Sequence, residues 1–342
     1  MKNKAIILIA AAAILFYAFG NSSKTTPTEA GQTVEAKGKS EKTEEINIAF
    51  EIKDDYTNPD TNPERLAEYL SRNLGMPVNI YPITNHNTAI EALRYGHAHM
   101  AFLDGGAGWI GWKQHGFAVI AADLKSNGQS YYTAQAMVRK SSGIETYSDL
   151  KGKTSCHTGW LKSAGMIMPM GTMIGKGVVE VLGDKSDINS LKYTIEGFFG
   201  NAIIPESSDI YGGYAGALRC LSDGTGDVAF VKSTTWEDYC GKEDAPEWCI
   251  SKDNFSQLEA FGRVPSHPVM VNPDKTDKRT ITKLQKALMS LNDNEEGQKI
   301  LSEILETSGI VLTNTEDHLG AYSNAMGNIP GMVDYTMTNI EK

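Results

Sequence analysis

From Ile46 onward the apolar and polar positions alternate between two periods. "INIAFEI" (46–52) alternates with period two, as a strand with one buried face does. "NPERLAEYLSRNLG" (62–75) switches to helical spacing, with Leu66, Tyr69, Leu70 and Leu74 on one face. Asn62 is placed to cap that helix, Pro63 to occupy its first turn and Gly75 to stop it. "PVNIYPI" (77–83) predicts a second strand, "NTAIEALRYG" (87–96) a second helix and "AHMAFLD" (98–104) a third strand. The order β-α-β-α-β predicts an α/β fold that opens with a parallel sheet covered by helices on both faces. Ligands of such sheets lie beyond the carboxyl ends of the strands, and Asp104 closes the third strand there.

The alternation resumes further on. "KGKTSCHT" (151–158) reads as a strand feeding the helix "KSAGMIMPMGTMIG" (162–175), and "YAGALRCLSDG" (214–224) as a helix leading into the strand "DVAFV" (227–231). "TITKLQKALMSLN" (280–292) and "EEGQKILSEILETSG" (295–309) are amphipathic helices. Two α/β lobes result, a first subdomain of residues 46–130 plus 268–342 and a second of 131–267. The chain crosses between them near residues 129–132 and 264–267, which are the expected hinges. Such an arrangement encloses a cleft, the shape of a solute-binding protein.

Ahead of this lie two segments of other character. Lys2 and Lys4 precede a fifteen-residue apolar run, Ala5–Phe19, which predicts a signal peptide or membrane anchor over residues 1–20 and an extracytoplasmic protein, secreted or anchored to the membrane. Residues 21–45 carry almost no large apolar side chain and predict a disordered tether. The formal net charge of −10, with no basic stripe after the tether, argues against a nucleic-acid partner. Four cysteines, Cys156, Cys220, Cys240 and Cys249, suit two disulfides in one of three pairings in an oxidising compartment. A zinc site of all four thiolates competes with that reading, but the spacing lacks any CxxC.

The densest chemistry lies in "SCHTGWLKSAG" (155–165), where a strand gives way to a helix. A helix start offers unpaired N–H groups and a positive dipole end, and so binds anions. Thr158 adds a hydroxyl, Lys162 a charge, and Gly159 and Gly165 allow close approach. An ordinary capped helix is the competing reading. A Cys156–His157 catalytic pair is disfavoured, because adjacent residues of a strand point to opposite faces.

"DLKGKTSCHTGWLKSAGMIMPMG", "GGYAGALRCLSDGTGDVAFVKSTTW" and "RVPSHPVMV", with "AFLDGG" and "YYTAQAMVRK" before them, closely resemble successive segments of the transferrins, here as a single lobe. The likeness covers roughly residues 98–272 and keeps the family's order. It implies a periplasmic-binding-protein-like fold of two subdomains that close over Fe3+ with a bound carbonate. By position it implies Asp104, Tyr132, Tyr214 and His267 as metal ligands, and an anion site of Thr158, Lys162 and the backbone amides of Ala164 and Gly165. Tyr131 competes with Tyr132 for its place. The family's disulfide pattern implies Cys156 with Cys220 and Cys240 with Cys249.

That ligand set makes independent chemical sense, because Fe3+ is a hard cation that favours anionic oxygen. With two phenolates, a carboxylate and carbonate the site totals a charge of about −2, which Lys162 and the helix dipole would offset. Singly, each residue has an ordinary reading: most of the fourteen tyrosines pack or cap, Asp104 suits a turn and His267 a strand. The remaining histidines, His97 and His99 among them, read as surface. The chain departs from the family in having Lys162 for the usual arginine, which loses the bidentate fork. Lys232 matches one member of the lysine pair used for acid release, without a clear second.

These residues point to a monomeric, non-enzymatic ferric-binding protein that hands iron to a membrane permease or an iron reductase. The alternative is a phosphonate, phosphite or phosphate receptor of an ABC importer, since "NDNEEGQKILSEILETSGIV" (292–311) resembles the phosphonate-binding proteins. A hydrolase on the same fold lacks an activated nucleophile and any paired acid and base.

Overall fold

The computed structural model describes residues 45–51, 61–206 and 208–340. The expected signal peptide and nearly all of the expected tether lie outside the described residues.

The chain first lays down β1 (Ile46–Glu51), α1 (Glu64–Leu74), β2 (Val78–Ile83), α2 (His86–Tyr95), β3 (Met100–Phe102), α3 (Gly105–His115) and β4 (Ala118–Asp123). β1 pairs in parallel with β2 and β3. α1 buries the face that its spacing predicts. Its first amides find Asn62, whose Oδ1 accepts from the Glu64 N–H at 2.9 Å, and Gly75 ends it at φ +66°. α3 has no counterpart in the pattern, because four glycines in seven residues argue against a helix. Its glycines serve close packing instead: a Cβ on Gly105 would stand 2.8 Å from the Pro265 ring, and one on Gly108 2.6 Å from that of Pro268.

The chain then crosses to a second sheet, built of β5 (Tyr131–Arg139), β6 (Thr154–Cys156), a helix that opens with a π-wound turn (Ser163–Ile167) and continues as α4 (Met168–Gly175), α5 (Asn189–Phe198), β7 (Asn201–Ile203), α6 (Gly213–Ser222), β8 (Val228–Lys232), α7 (Thr235–Tyr239), β9 (Phe255–Gln257) and β10 (Gly262–Pro265). The strand order is β10-β5-β8-β6-β7, with β9 on β5. It returns as β11 (Pro268–Val271), followed by α8 (Lys278–Ser290), α9 (Glu295–Glu303), β12 (Ile310–Val311), α10 (Thr315–Asn328) and α11 (Met332–Ile340). β11 inserts between β3 and β4, antiparallel to both, so the first sheet runs β12-β4-β11-β3-β1-β2 and is mixed rather than parallel throughout. The chain thus passes between the sheets twice, after Asp123 and after Pro265.

One face of the first sheet packs Ile46, Ile48 and Val269 against Leu66, Leu70 and Leu284. A second buried cluster runs unbroken from Ile90 and Trp109 beside the first sheet to Met170 of α4 and Phe230 of the second sheet, with Tyr322 and Met326 of α10 within it. α10 lies flat on α4: the Ala325 carbonyl oxygen is 2.2 Å from where a Cβ on Gly171 would be, and Asn328 Nδ2 donates to the Gly171 carbonyl at 2.9 Å. The same helix accepts the Trp109 indole N–H on Ser323 Oγ at 3.1 Å, and His318 Nε2 lies 3.3 Å from the Ser266 carbonyl at the second crossing.

All four cysteines are paired, Cys156 with Cys220 and Cys240 with Cys249, as the resemblance implies, which leaves no thiolate for zinc. The first bond ties the end of β6 to α6, and such a link typically stabilises by roughly 2–4 kcal/mol. The surface reading of the remaining histidines needs correction. His97 is exposed, but His318 is buried and the half-buried His99 accepts the Asn47 N–H on Nδ1 at 3.0 Å.

Gly171→Ala is expected to lower stability by about 1–3 kcal/mol, because its methyl group meets backbone that cannot rotate away. Gly128→Ala, which meets open space at φ +72°, should cost only the smaller strain of that φ. Thermal unfolding of the two variants checks the contrast.

Candidate functional site

Of the residues implied as ligands, Asp104, Tyr132, Lys162 and His267 meet at one cavity by the crossings, whereas Thr158, Ala164, Gly165 and Tyr214 do not line it. Asp104 follows β3 and caps α3, its Oδ1 accepting the Ala107 N–H at 2.7 Å, while its side chain stays 51% exposed. His86 Nε2 lies 3.5 Å from its other oxygen. His267 stands between β10 and β11. Asp104, Tyr132, Lys162, Ser163, His267 and Tyr322 line one cavity of about 390 Å3. Tyr214 does not line it; it faces an adjoining cavity of about 330 Å3 together with Lys125, Lys232 and the same Tyr132. Tyr132 joins the two, because it lines both, and its phenol and that of Tyr214 are close enough to shift each other's ionisation.

Strand alternation turns the two neighbouring tyrosines to different surroundings. Tyr132 points to the cavities, whereas the Tyr131 ring lies under the Arg263 guanidinium at 4.1 Å. Tyr214 is held from below: the Gly213 N–H donates to the Thr158 carbonyl at 3.1 Å, fixing the start of α6 against the loop after β6. Burial pushes the Tyr132 phenol above its ordinary range. It pushes that of Tyr214 further, with Tyr132 adding to the effect, so both are neutral without a cation.

His267 has one ring nitrogen committed. Its Nδ1 is 3.0 Å from Asp123 Oδ2, and since a carboxylate only accepts, Nδ1 carries the proton in that contact, which leaves Nε2 outside it. Asp123 Oδ1 also accepts the His267 backbone N–H at 2.6 Å, and Lys125 Nζ lies 3.0 Å from Oδ2. Burial raises the Asp123 pKa, but His267 and Lys125 outweigh it and hold the carboxyl well below the usual range. A third cavity of about 390 Å3 opens on the other side of this group, lined by His86, Asp123, Lys125 and His267 over Phe50 and Phe102.

The helix start is built as an anion cradle would be. The Lys162 carbonyl accepts from Met166 at 2.8 Å and Ile167 at 3.1 Å, so the amides of Ser163, Ala164 and Gly165 precede the first intrahelical bond. Buried Thr158 lies directly against Gly165, with Oγ1 1.9 Å from where a Cβ would be. Between them the loop turns through Gly159 at φ +135° and Leu161 at φ +53°. His157 props the turn from beneath: its Nδ1 meets the Gly165 carbonyl at 2.8 Å and its Nε2 the Ser155 hydroxyl at 3.0 Å. It is a buried structural histidine, and its neighbour Cys156 is spent in a disulfide.

Asp123, Lys125, Ser163 and Tyr322 belong to this site and were not singled out in the sequence. Asp123 carried the same signal as Asp104, an acidic residue closing an apolar strand in "AVIAAD" (118–123). Lys232, matched to the acid-release pair, is 2.7 Å from Asp238 and lies over the Tyr214 ring, and Lys125 shares its cavity. Among the described residues no three His, Cys, Asp or Glu side chains gather into a metal centre. A cation at this site would therefore depend on the tyrosines.

Two mixed sheets joined by two crossings, with ionisable side chains gathered at those crossings, define a two-lobed substrate-binding fold. The family of ABC transporter phosphonate periplasmic substrate-binding proteins matches residues 58–318, and the chain belongs to it. The likeness to transferrins is also found. Chicken (Gallus gallus) ovotransferrin is 32% identical over 216 residues, 54% of this chain and 30% of that protein. Human (Homo sapiens) melanotransferrin is 30% identical over 264 residues, 64% of this chain and 34% of that protein. Serotransferrin of Paralichthys olivaceus is 34% identical over 224 residues, 57% and 31% of the two chains. The chain spans about a third of the length of these curated relatives. Among solved structures, XAC2383 from Xanthomonas citri bound to ATP superposes with a TM-score of 0.56 at 16% identity, covering 84% of this chain and 97% of that one, a likeness of fold.

Gly165→Ala is expected to push Thr158 aside and weaken oxyanion binding at least tenfold, read by calorimetric titration. His157 gives a second expectation. Burial holds its pKa down to about 4, against the opposing hydrogen bond to Gly165. The unfolded chain protonates near 6.5, so the stability from neutral His157 is complete above about pH 6.5 and is lost as the pH falls towards 4, by roughly 3 kcal/mol. His99, His115 and His318, also depressed by burial, act in the same direction. Urea unfolding at pH 7 and 4.5 should show this loss, and His157→Gln should show a smaller one.

Proposed function

We propose that this protein binds ferric iron together with a synergistic carbonate outside the cytoplasm, as the receiving step of iron acquisition. The observation that carries the reading is the neighbouring pair Tyr132 and Tyr214, two partly buried phenols, the first of which shares a cavity with Asp104 and His267. A receptor for a phosphorus oxyanion has no need of two phenols, whereas Fe3+ ionises phenols and binds the phenolates. Asp104 Oδ2, His267 Nε2 and the two phenolates would supply four ligands, and carbonate on Thr158, Lys162 and the amides of Ala164 and Gly165 would supply the rest. The N-terminal segment would direct export, and a membrane permease or reductase would take the iron.

The phosphonate reading has its own support in the family to which the chain belongs and in the helix start at Ser163, whose cavity also holds Lys162 and Lys125. Among the described residues no helix is long and apolar enough to cross a membrane.

Metal-free protein titrated with ferric ion is expected to develop a visible phenolate-to-iron band only when bicarbonate is present. Tyr214→Phe and Tyr132→Phe should each abolish or strongly weaken it. Because both phenols are neutral beforehand, binding expels their protons, so affinity should fall with falling pH by roughly a hundredfold per unit from the phenols alone. No band, with heat released on adding methylphosphonate or phosphate, would favour the importer receptor.

A further inference from the structure

Tyr322 is 1% exposed, yet it lines the same cavity as Asp104, Tyr132 and Lys162. It comes from α10, more than a hundred and fifty residues beyond the helix start it touches, and its hydroxyl lies 3.0 Å from Ser163 Oγ. Burial pushes its phenol far above the ordinary range, although the Ser163 contact works the other way, so it is a neutral hydroxyl. The two hydroxyls carry two protons, and the bond between them uses one. Whichever group donates, one O–H of the pair is left, and both residues face the cavity.

We propose that Tyr322 is a positioning and specificity-determining residue of the anion subsite, acting through Ser163. The pair supplies a neutral donor beside Lys162 and the first amides of the helix, and it fixes the Ser163 rotamer from outside the helix. The donor set for an oxyanion is then larger by one hydroxyl than Thr158, Lys162 and the backbone provide. It suits an oxyanion that presents an acceptor oxygen towards α10, where the hydroxyl can donate to it. The proposal rests on the reading that an oxyanion occupies the start of this helix, and is independent of whether iron accompanies it.

The test uses the whole chain, with Tyr322→Phe, Ser163→Ala and the double variant. Two titrations are run on each: bicarbonate in the presence of ferric ion, followed by visible absorption, and inorganic phosphate or methylphosphonate on metal-free protein, followed by calorimetry. Tyr322→Phe keeps the ring in the core and loses only the hydroxyl. It is expected to weaken the anion that the parent binds about tenfold, the usual cost of one hydrogen bond to a charged group. Ser163→Ala should lose a similar factor, and the double variant should lose little more than either single change. A change below twofold in Tyr322→Phe, or losses that multiply in the double variant, would reduce Tyr322 to a packing residue and overturn the proposal. Should Tyr322→Phe fail to fold, normal anion affinity in Ser163→Ala would overturn it equally. A parent silent to every anion would remove the oxyanion reading and this proposal together. A parent that binds phosphate without iron would sink the ferric reading alone and leave Tyr322 to be judged by its own factor.

Discussion

The contact on which the other parts depend is the close approach of α10 to α4 at Gly171. No side chain fits between the Ala325 carbonyl and that residue, so the two backbones meet directly and Asn328 locks the register. From that anchored position α10 reaches three other elements. It touches the helix start through Tyr322 and Ser163, α3 through Ser323 and Trp109, and the second crossing through His318 and Ser266. α3 is the helix capped by Asp104, and the second crossing carries His267. The anion cradle, the carboxylate and the imidazole are therefore all referenced to one rod.

On the proposed reading, electrostatics would suit such a frame to a trivalent cation with an accompanying anion. Two partly buried phenols resist ionisation, and only a strong, nearby positive charge makes two phenolates stable at neutral pH. Asp123 is engaged by the imidazole, whose Nδ1 lies 3.0 Å from its Oδ2, so Nε2 stays outside that contact. The cradle supplies positive potential without a guanidinium, through Lys162 and three helix-start amides, so it can accept a planar or a tetrahedral oxyanion. That permissiveness is where membership of a phosphonate-binding family and likeness to transferrins would meet: on the proposed reading both chemistries would use the same helix start, and the tyrosines would separate them.

Much of this was legible in the chain, for reasons that differ residue by residue. Helical spacing, Asn62 and Gly75 placed α1, because its face and its ends are local properties. α3 was illegible, because its glycines answer to Pro265 and Pro268, far away in sequence. The antiparallel insertion of β11 between β3 and β4 likewise depends on a return crossing that no local pattern encodes. Asp104 was visible as a strand-closing acid, and Asp123 could have been found by the same argument. Tyr132, Tyr214 and the disulfide pairing came from the resemblance and not from spacing, since a lone tyrosine in a strand or helix looks like core. Tyr322 was hidden for that same reason, and only the packing of α10 reveals what it faces.

The most direct test is a crystal grown with ferric ion and bicarbonate and measured at the iron absorption edge. The account predicts one anomalous peak bounded by Asp104, Tyr132, Tyr214 and His267, with a planar anion against the amides of residues 163–165. An absence of iron at that position, with a tetrahedral anion alone on the helix start, would contradict it.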